Sequence, residues 1–192
     1  MRSIDLSTGT VSCTLTFPES LFYEILSNRA GLPIQNEGQL LKLLTELSQV
    51  RDEYVRSRPV VSIILVDNYE ELTMNISESA ISNMNAQIND AITKWTENYH
   101  GLLRKLERNR YLFVFEKCYL ENAQQEKFSL LEDIHQIVNP TGLAASISFG
   151  LGVDGATFEE SYDFAALSIE MALSRGGDQA VVKNRLNFDF YG

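Results

Sequence analysis

The chain has 192 residues, of which 44% are hydrophobic and 22% charged, enough for one ordinary domain with an extension and too few for two large domains. This apolar content supports a packed core and argues against a disordered chain. The 16 basic and 26 acidic residues give a net charge of −10, so we expect no binding to nucleic acid or to an anionic membrane surface.

The negative charge is distributed unevenly along the chain. Residues 1–58 contain 6 basic and 7 acidic residues, whereas residues 59–192 contain 10 and 19. We therefore predict an N-terminal extension over 1–58 and a main domain over 59–192. The two cysteines, Cys13 and Cys118, form neither a disulfide framework nor a zinc pattern. No apolar run approaches the roughly 20 residues of a membrane span, so we expect a soluble, cytoplasmic chain without direct membrane contact.

The extension contains one strand pattern and two helix patterns. Partial alternation predicts a short strand over 9–17, and Pro18 is placed to open a helix over 18–29. Leucine and valine recur at three- and four-residue spacing over 37–56, which predicts an amphipathic helix. Such a helix can act as a dimerising signalling linker, and it can equally pack on its own domain.

The main domain alternates strand and helix patterns. The β-branched run VVSIILVD over 60–67 is typical of a strand buried on both faces. The remaining pattern predicts a helix over 77–99, a hairpin over 102–117, a helix over 128–138, a strand over 146–153, a helix over 158–173 that ends at glycines, and short strands over 180–183 and 187–191. This order predicts an α+β fold in which a mixed sheet carries helices.

Two separated motifs give the main domain a family resemblance. The segments VVSIILVDNYEEL (60–72) and ALSRGGDQAVVK (172–183), followed by FYG, resemble the degenerate GGDEF domains of membrane-anchored cyclic-di-AMP phosphodiesterases. The resemblance covers about residues 59–192 and implies the GGDEF, nucleotidyl-cyclase-like fold. In that family a PAS domain is also present, and the catalytic module is a C-terminal DHH/DHHA1 module that this sequence does not include. The resemblance therefore implies that module as a partner within a membrane-anchored parent protein.

The same resemblance implies that cyclase activity is lost. A working cyclase needs two carboxylates to hold a divalent metal on the nucleotide. The first of these positions falls on Leu65, while Asp67 matches the second acidic residue of the same element. The guanine-reading position falls on Thr73, and the late phosphate-binding positions fall near Ser174 and Asp178. We expect no diguanylate cyclase activity, no catalytic residue and no preformed metal site.

The turn that gives the family its name is basic in this chain. It reads Glu107-Arg108-Asn109-Arg110-Tyr111, with both glycines missing and an amide or a cation at both acidic positions. Arg104, Lys105, Arg108 and Arg110 are four of the ten basic residues of the main domain. Arginine forks suit phosphate oxygens, so this cluster is a candidate anion site. A solvated hairpin whose charges keep a sheet edge soluble is an equally good interpretation.

Three polar residues after the first strand of the main domain would lie beside this turn. Asp67, Asn68 and Glu70 can hold a metal or a ribose, although we favour capping of the next helix. The candidate nucleotide-binding residues are therefore Asp67, Asn68, Glu70, Arg104, Arg108, Asn109 and Arg110. If a nucleotide binds there, Mg²⁺ is the ion expected to accompany it.

Three functions remain open on the sequence. The first is a non-catalytic regulatory domain that passes a signal to the hydrolase module of a cyclic-di-AMP phosphodiesterase. The second is a domain that binds ATP or GTP at the basic turn and hydrolyses it weakly. The third is a dimerisation module that uses the helix over 37–56 and makes the chain a homodimer.

Overall fold

The computed structural model describes residues 2–8, 11–17, 23–24, 27–28, 31 and 35–192. The chain divides into two compact units between Tyr54 and Val55. The helix predicted over 18–29 lies largely outside the described residues, although 23–24 and 27–28 are helical. None of the helices in the described part of the chain is long and apolar enough to cross a membrane.

The smaller unit contains an antiparallel hairpin and most of a long helix. Strands β1 (Arg2–Thr8) and β2 (Val11–Phe17) pair so that Arg2 lies opposite Phe17. The predicted strand over 9–17 corresponds to β2, with residues 9 and 10 outside the described residues, and β1 was not predicted. Helix α1 (Glu37–Ser57) confirms the predicted helix and ends one residue later.

The larger unit is built on one six-stranded sheet. Its elements are β3 (Pro59–Val66), α2 (Tyr69–Thr73), α3 (Glu78–Glu97), β4 (Leu102–Lys105), β5 (Arg110–Glu116), α4 (Leu120–Gln125), α5 (Leu130–His135), β6 (Ile147–Gly152), α6 (Phe158–Ser174), β7 (Ala180–Lys183) and β8 (Phe188–Tyr191). The strand order is β4-β5-β3-β6-β7-β8, in which β6 and β7 are parallel and the other pairs antiparallel. This confirms the predicted mixed sheet and the α+β class.

The main hydrophobic core lies between one face of the sheet and helices α3 to α5. Helix α3 begins at Ser77, whose side chain accepts a hydrogen bond from the Ala80 N–H. Near its other end Trp95 is buried, with its ring centroid 4.5 Å from that of Tyr99 and 5.2 Å from that of Phe149. Since these rings come from a helix and the sheet, their packing fixes α3 against the strands.

Helix α6 covers the opposite face of the sheet. Its buried side chains, Ala165 and Ile169, pack against Val61 and Ile63 of β3. The helix comes so close to β6 that a Cβ atom added at Gly152 would overlap the backbone of Ser161. Glycine in β6 therefore serves close helix–sheet packing.

The two glycines after α6 end the helix as predicted. The Gly177 N–H donates to the carbonyl of Ala172 at 2.9 Å, and the Gly176 N–H donates to the carbonyl of Leu173 at 3.0 Å. The φ angle is +105° at Gly176 and +77° at Gly177. These positive angles and the two hydrogen bonds are the geometry of a Schellman cap. This cap turns the chain toward the end of β3, where the candidate site lies.

Candidate functional site

A cleft of about 260 Å³ lies at the end of β3, and it is acidic. Its lining residues are Asp67, Asn68, Tyr69, Glu70, Glu71 and Asn109. It therefore brings together four of the seven candidate residues, while the three arginines are not among its described lining residues. This lining contains three carboxylates and no basic side chain, which is the opposite charge from the anion site that the sequence suggested.

The basic residues of the hairpin do not converge on one point. Arg104 lies opposite Leu112 across the β4–β5 pair, whereas Lys105 lies opposite Tyr111. Successive side chains of a strand point to opposite faces, so Arg104 and Lys105 belong to different faces of the sheet. The Lys105 ammonium lies 4.9 Å from the centroid of the Tyr111 ring, on the face that carries the main core. Lys105 is thus separated from Arg104, whereas Arg110, which pairs with Leu65, lies on the same face as Arg104.

The turn itself presents two arginines in different environments. Arg108 is exposed, whereas Arg110 is half-buried. The Nε of Arg110 is fully buried and makes no hydrogen bond to the described residues. Beside it, the Asn109 carbonyl accepts a hydrogen bond from the Val66 N–H at 2.8 Å, which ties the turn to the end of β3. A buried polar atom without a partner costs free energy, so an acceptor brought to this nitrogen would stabilise the turn.

Asp67 holds the loop after α6 in place. Its Oδ2 accepts hydrogen bonds from the Ser148 hydroxyl and from the Asp178 N–H, both at 2.9 Å. A Cβ atom on Gly177 would lie only 2.8 Å from this oxygen, so the loop needs glycine there. Burial raises the pKa of Asp67, although the hydrogen bonds from Asp178 and Ser148 oppose that change. The other oxygen, Oδ1, is buried and accepts no hydrogen bond from the described residues.

Asn68 occupies the N-cap position of α2, but the favoured interpretation that its side chain caps the helix is wrong. Its side chain makes no capping hydrogen bond to α2. Instead its Nδ2 donates to the carbonyl of Ala144 at 2.8 Å, and its Oδ1 accepts from the Ser146 N–H at 3.1 Å. Both the nitrogen and the oxygen of the amide therefore hold the backbone segment that leads into β6. Glu70 is exposed in the first turn of α2, where a carboxylate interacts favourably with the helix N-terminus.

The positions to which the resemblance assigns cyclase roles are engaged elsewhere. Leu65 packs on the α6 side of the sheet, against the apolar cluster of β3 and α6. The Thr73 hydroxyl donates to the carbonyl of Tyr69 in its own helix at 2.9 Å. Arg175, which is adjacent to the late phosphate-binding position near Ser174, has its guanidinium 4.4 Å from the centroid of the Phe190 ring. Within the described residues, no group of three or more His, Cys, Asp or Glu side chains is arranged to hold a metal ion.

One polar contact of this region was missed by the sequence reasoning. The Nε2 of His135, in α5, lies 2.8 Å from the Oδ1 of Asp178. Asp178 adopts a positive φ of 56° and donates its N–H to Asp67. The loop therefore connects α5 to the end of β3 through Asp178. Since the histidine and the aspartate are 43 residues apart, no local spacing could have indicated the pair.

Comparison with known proteins gives a family match over most of the larger unit. Residues 64–189 match the family model described as "Cyclic-di-AMP phosphodiesterase GdpP-like, GGDEF domain". The chain is 30% identical over 140 residues to the cyclic-di-AMP phosphodiesterase GdpP of Bacillus subtilis, covering 73% of this chain and 21% of that protein. It is 25% identical over 139 residues to PdeA of Listeria monocytogenes, covering 72% and 21%. The chain thus spans about a fifth of the length of these relatives.

The first part of the chain matches a second group of proteins. Residues 1–78 match the model described as "Stage IV sporulation protein A, middle domain". The stage IV sporulation protein A of Clostridioides difficile is 27% identical over 79 residues, which is 41% of this chain and 16% of that protein. Sequence similarity therefore changes along the chain, with both models matching residues 64–78.

Solved GGDEF-type domains share the fold. The active GGEEF domain of a diguanylate cyclase from Vibrio cholerae aligns with a TM-score of 0.57 at 11% identity, covering 71% of this chain and 89% of that one. The FimX GGDEF domain from Pseudomonas aeruginosa gives the same TM-score at 17% identity, covering 79% and 95%. At these identities the likeness concerns the fold alone.

Proposed function

The chain belongs to the GGDEF-domain family of GdpP-like cyclic-di-AMP phosphodiesterases, and from that premise we propose that it is a non-catalytic regulatory domain of such an enzyme. In this proposal it makes no cyclic dinucleotide and passes a conformational signal to a DHH/DHHA1 hydrolase module. The domain would act in the cytoplasm, on a membrane-anchored parent protein. The observation that carries the proposal is Leu65, an apolar residue packed on the α6 side of the sheet where the resemblance puts a metal-binding carboxylate.

The surroundings of Asp67 support the same proposal. One carboxylate oxygen is already bound by two donors, the Ser148 hydroxyl and the Asp178 N–H. The same oxygen would lie only 2.8 Å from a Cβ atom at Gly177, so the glycine loop packs directly against it. Asp67 is therefore suited to ordering the loop at 176–178 rather than to holding a metal ion.

A domain exchange tests the regulatory role. Residues 59–192 would replace the corresponding domain of the B. subtilis phosphodiesterase, and hydrolysis of cyclic-di-AMP would be measured. We expect hydrolysis to continue, because the hydrolase module is retained, and its rate to change when Asp67→Ala loosens the loop. The matched control is Asp163→Ala, which removes an exposed carboxylate of α6. Equal rates in the exchanged enzyme, both variants and the enzyme without the domain would contradict a regulatory role.

A second candidate function is nucleotide binding, which two unpaired atoms favour. Asp67 Oδ1 and Arg110 Nε are both buried and without hydrogen-bond partners among the described residues. A phosphate oxygen could accept from Arg110, and a ribose hydroxyl could donate to Asp67, which would satisfy both atoms. In this alternative the domain binds ATP or GTP and hydrolyses it weakly, with Mg²⁺ carried in by the phosphates.

Calorimetric titration separates this alternative from the first proposal. ATP or GTP would be added, with and without Mg²⁺, to the unaltered chain and to the double variant Arg108→Ala/Arg110→Ala. Lys105→Ala is the matched control, because it removes a positive charge of the same hairpin from the opposite face of the sheet. Saturable binding that is lost in the double variant and kept in the control supports nucleotide binding. No heat of binding at millimolar nucleotide excludes it.

A further inference from the structure

Strand β8 forms one edge of the six-stranded sheet, and among the described strands it pairs only with β7. Residue pairs along two antiparallel strands alternate between hydrogen-bonded and non-hydrogen-bonded positions. The Asn184 N–H donates to the carbonyl of Asn187 at 3.2 Å, which puts Phe188 and Phe190 at non-hydrogen-bonded positions. Their backbone N–H and C=O groups therefore point away from β7, and β8 presents the donors and acceptors to which a further strand can bind.

The face of the sheet beside this edge is aromatic. Phe188 and Phe190 are separated by one residue, so both rings lie on the same face, with their centroids 6.5 Å apart. The Nζ of Lys183 lies 4.3 Å from the centroid of Phe188 and 4.9 Å from that of Phe164 in α6. This is therefore the face that α6 covers. Since Phe190 is 39% exposed, α6 leaves part of the aromatic surface uncovered.

Positive charge is concentrated on the same face of an otherwise acidic region. Residues 118–192 contain 4 basic and 11 acidic residues, and three of the four basic residues lie at the end of α6 or in the β7–β8 hairpin. Arg185 is paired with Glu160 at 2.8 Å. Arg175 lies 4.4 Å from the centroid of the Phe190 ring, and neither Arg175 nor Lys183 forms an ion pair within the described part of the chain. Two cations without a counter-charge beside exposed rings attract a negatively charged partner.

The free edge and the charged face together favour one kind of occupant, an extended acidic segment. A peptide that adds to a sheet edge hydrogen-bonds through its backbone and points alternate side chains to one face. Carboxylates on that face would lie beside Arg175 and Lys183, away from Asp189, which pairs with Val182 and points to the other face. A second copy of β8 would bring two further cations instead, so its charge is not complementary.

We propose that β8 binds an extended acidic peptide segment of another protein. The segment adds to the sheet as a further strand beside β8, antiparallel to it, and places carboxylates next to Arg175 and Lys183. The proposal is independent of the regulatory function, since such a segment can bind whether or not the domain controls a hydrolase.

Charge reversal on the full-length chain tests the choice of partner. The probe is a short, acetylated and amidated peptide in which glutamate alternates with threonine, labelled for fluorescence anisotropy at low ionic strength. We expect saturable binding below millimolar concentration, and Arg175→Glu and Lys183→Glu should each raise the dissociation constant about tenfold. The matched control is Lys105→Glu, which reverses another lysine that lies over a ring, at the opposite edge of the sheet, and should change nothing. A peptide with lysine in place of glutamate should not bind.

Backbone methylation of the peptide tests whether it binds as a strand. In an antiparallel pair the residues opposite Phe188 and Phe190 share their face and direct their N–H groups at β8. These are the glutamates, so N-methylation of the glutamates should abolish binding and N-methylation of the threonines should not. The amide NMR signals of Phe188 and Phe190 should shift when the unmethylated peptide is added, while unchanged signals in the rest of the sheet show that the charge variants still fold.

Three outcomes would overturn the proposal. The first is no saturable binding of the acidic peptide up to millimolar concentration. The second is equal binding of the peptides methylated on glutamate and on threonine, or equal binding by the unaltered chain and both charge variants. The third is a shift of the Phe188 and Phe190 signals that depends on the concentration of the chain and not on the peptide, which would identify a second copy as the occupant.

Discussion

Asp67 is a half-buried carboxylate whose protonation is linked to the stability of the fold. Burial raises its pKa above the ordinary value of 3.8, while hydrogen bonds from Asp178 and Ser148 partly oppose the change. The folded chain therefore binds this proton more tightly than the unfolded chain does. For such a group the free energy of unfolding falls as the pH rises from 3.8 through the raised folded-state pKa.

Asp67→Asn should remove this part of the pH dependence. Asparagine keeps an oxygen for the Ser148 hydroxyl and the Asp178 N–H, and it carries no charge at any pH. We expect the stability of the variant relative to the unaltered chain to increase from pH 3.8 up to the folded-state pKa and to stay constant above it. Urea unfolding at a series of pH values measures this difference, with Asp163→Asn as the exposed control. Parallel pH curves for Asp67→Asn and the unaltered chain would show that Asp67 is not linked in this way.

The hydrogen-bond partners of single polar residues could not be predicted from the neighbouring sequence. Asn68 precedes a helix, which is the local pattern of a cap, yet its amide bonds the backbone at Ala144 and Ser146. Those partners are 76 and 78 residues away along the chain, so no local pattern could identify them. By contrast, the separation of Arg104 from Lys105 follows from strand alternation alone and could have been deduced once the hairpin was recognised.

At the scale of secondary-structure elements, ion pairs of Asp154 link the ends of α1, β5 and β6. Its Oδ1 accepts from Arg58, which follows α1, at 3.0 Å, and its Oδ2 lies 2.6 Å from the Nζ of Lys117, which follows β5. The Lys117 N–H also donates to the carbonyl of Arg58 at 2.9 Å. Asp154 itself lies just beyond β6. The three side chains are between 27% and 34% exposed, so this cluster is better shielded from water than an ordinary surface pair.

Asp154→Asn should lower the stability of the larger unit. Asparagine tolerates the positive φ of 58° at this position, so the substitution removes the charge without new backbone strain. Arg58 and Lys117 then lie near each other without a counter-charge, and we expect a loss of about 1 kcal/mol in urea unfolding, larger at low salt. Asp52→Asn is the matched control, since its pair with Arg51 is exposed and should contribute almost nothing. Equal effects of the two substitutions would contradict this role for Asp154.

Elements with long periodic patterns were predicted well, whereas helices α2 and α4 were missed. The buried apolar run of β3 and the apolar stripe of α3 each extend over enough residues to be recognised as a strand and a helix. The two glycines at the end of α6 are a strong local signal for the end of a helix. Helices α2 and α4 have five and six residues, fewer than two turns, and such helices depend on tertiary packing rather than on a sequence pattern. The glycines of β6 likewise reflect the close approach of α6, which only the assembled sheet reveals.

At the scale of the whole molecule, the order of elements was predictable and the pairing of strands was not. Two motifs, at 60–72 and 172–183, led to the family resemblance, and through it to the fold. The strand order β4-β5-β3-β6-β7-β8 places residues of distant segments at one edge of the sheet. There the Asp178 N–H donates a hydrogen bond to Asp67. The motif at 172–183 therefore contacts the motif at 60–72 directly in the folded chain.

The distribution of charge around the candidate site differs from what the sequence predicted. The sequence concentrates positive charge at the basic turn, yet the cleft at the end of β3 is lined by the carboxylates of Asp67, Glu70 and Glu71. The basic side chains of the hairpin lie on two faces of the sheet. Net charge alone thus led to the prediction that polynucleotides do not bind, whereas the nature of this cleft could be seen only in the fold.

An assay for cyclic dinucleotide synthesis tests the absence of catalysis most directly. The chain would be incubated with GTP and either Mg²⁺ or Mn²⁺, and the products would be separated by chromatography and identified by mass. We expect no cyclic-di-GMP, because Leu65 stands where the family resemblance implies a metal-binding carboxylate and because the carboxylate of Asp67 holds the loop at 176–178. An active GGEEF domain such as that of V. cholerae serves as the positive control. Synthesis of cyclic-di-GMP by the unaltered chain, abolished by Asp67→Asn, would contradict the non-catalytic role.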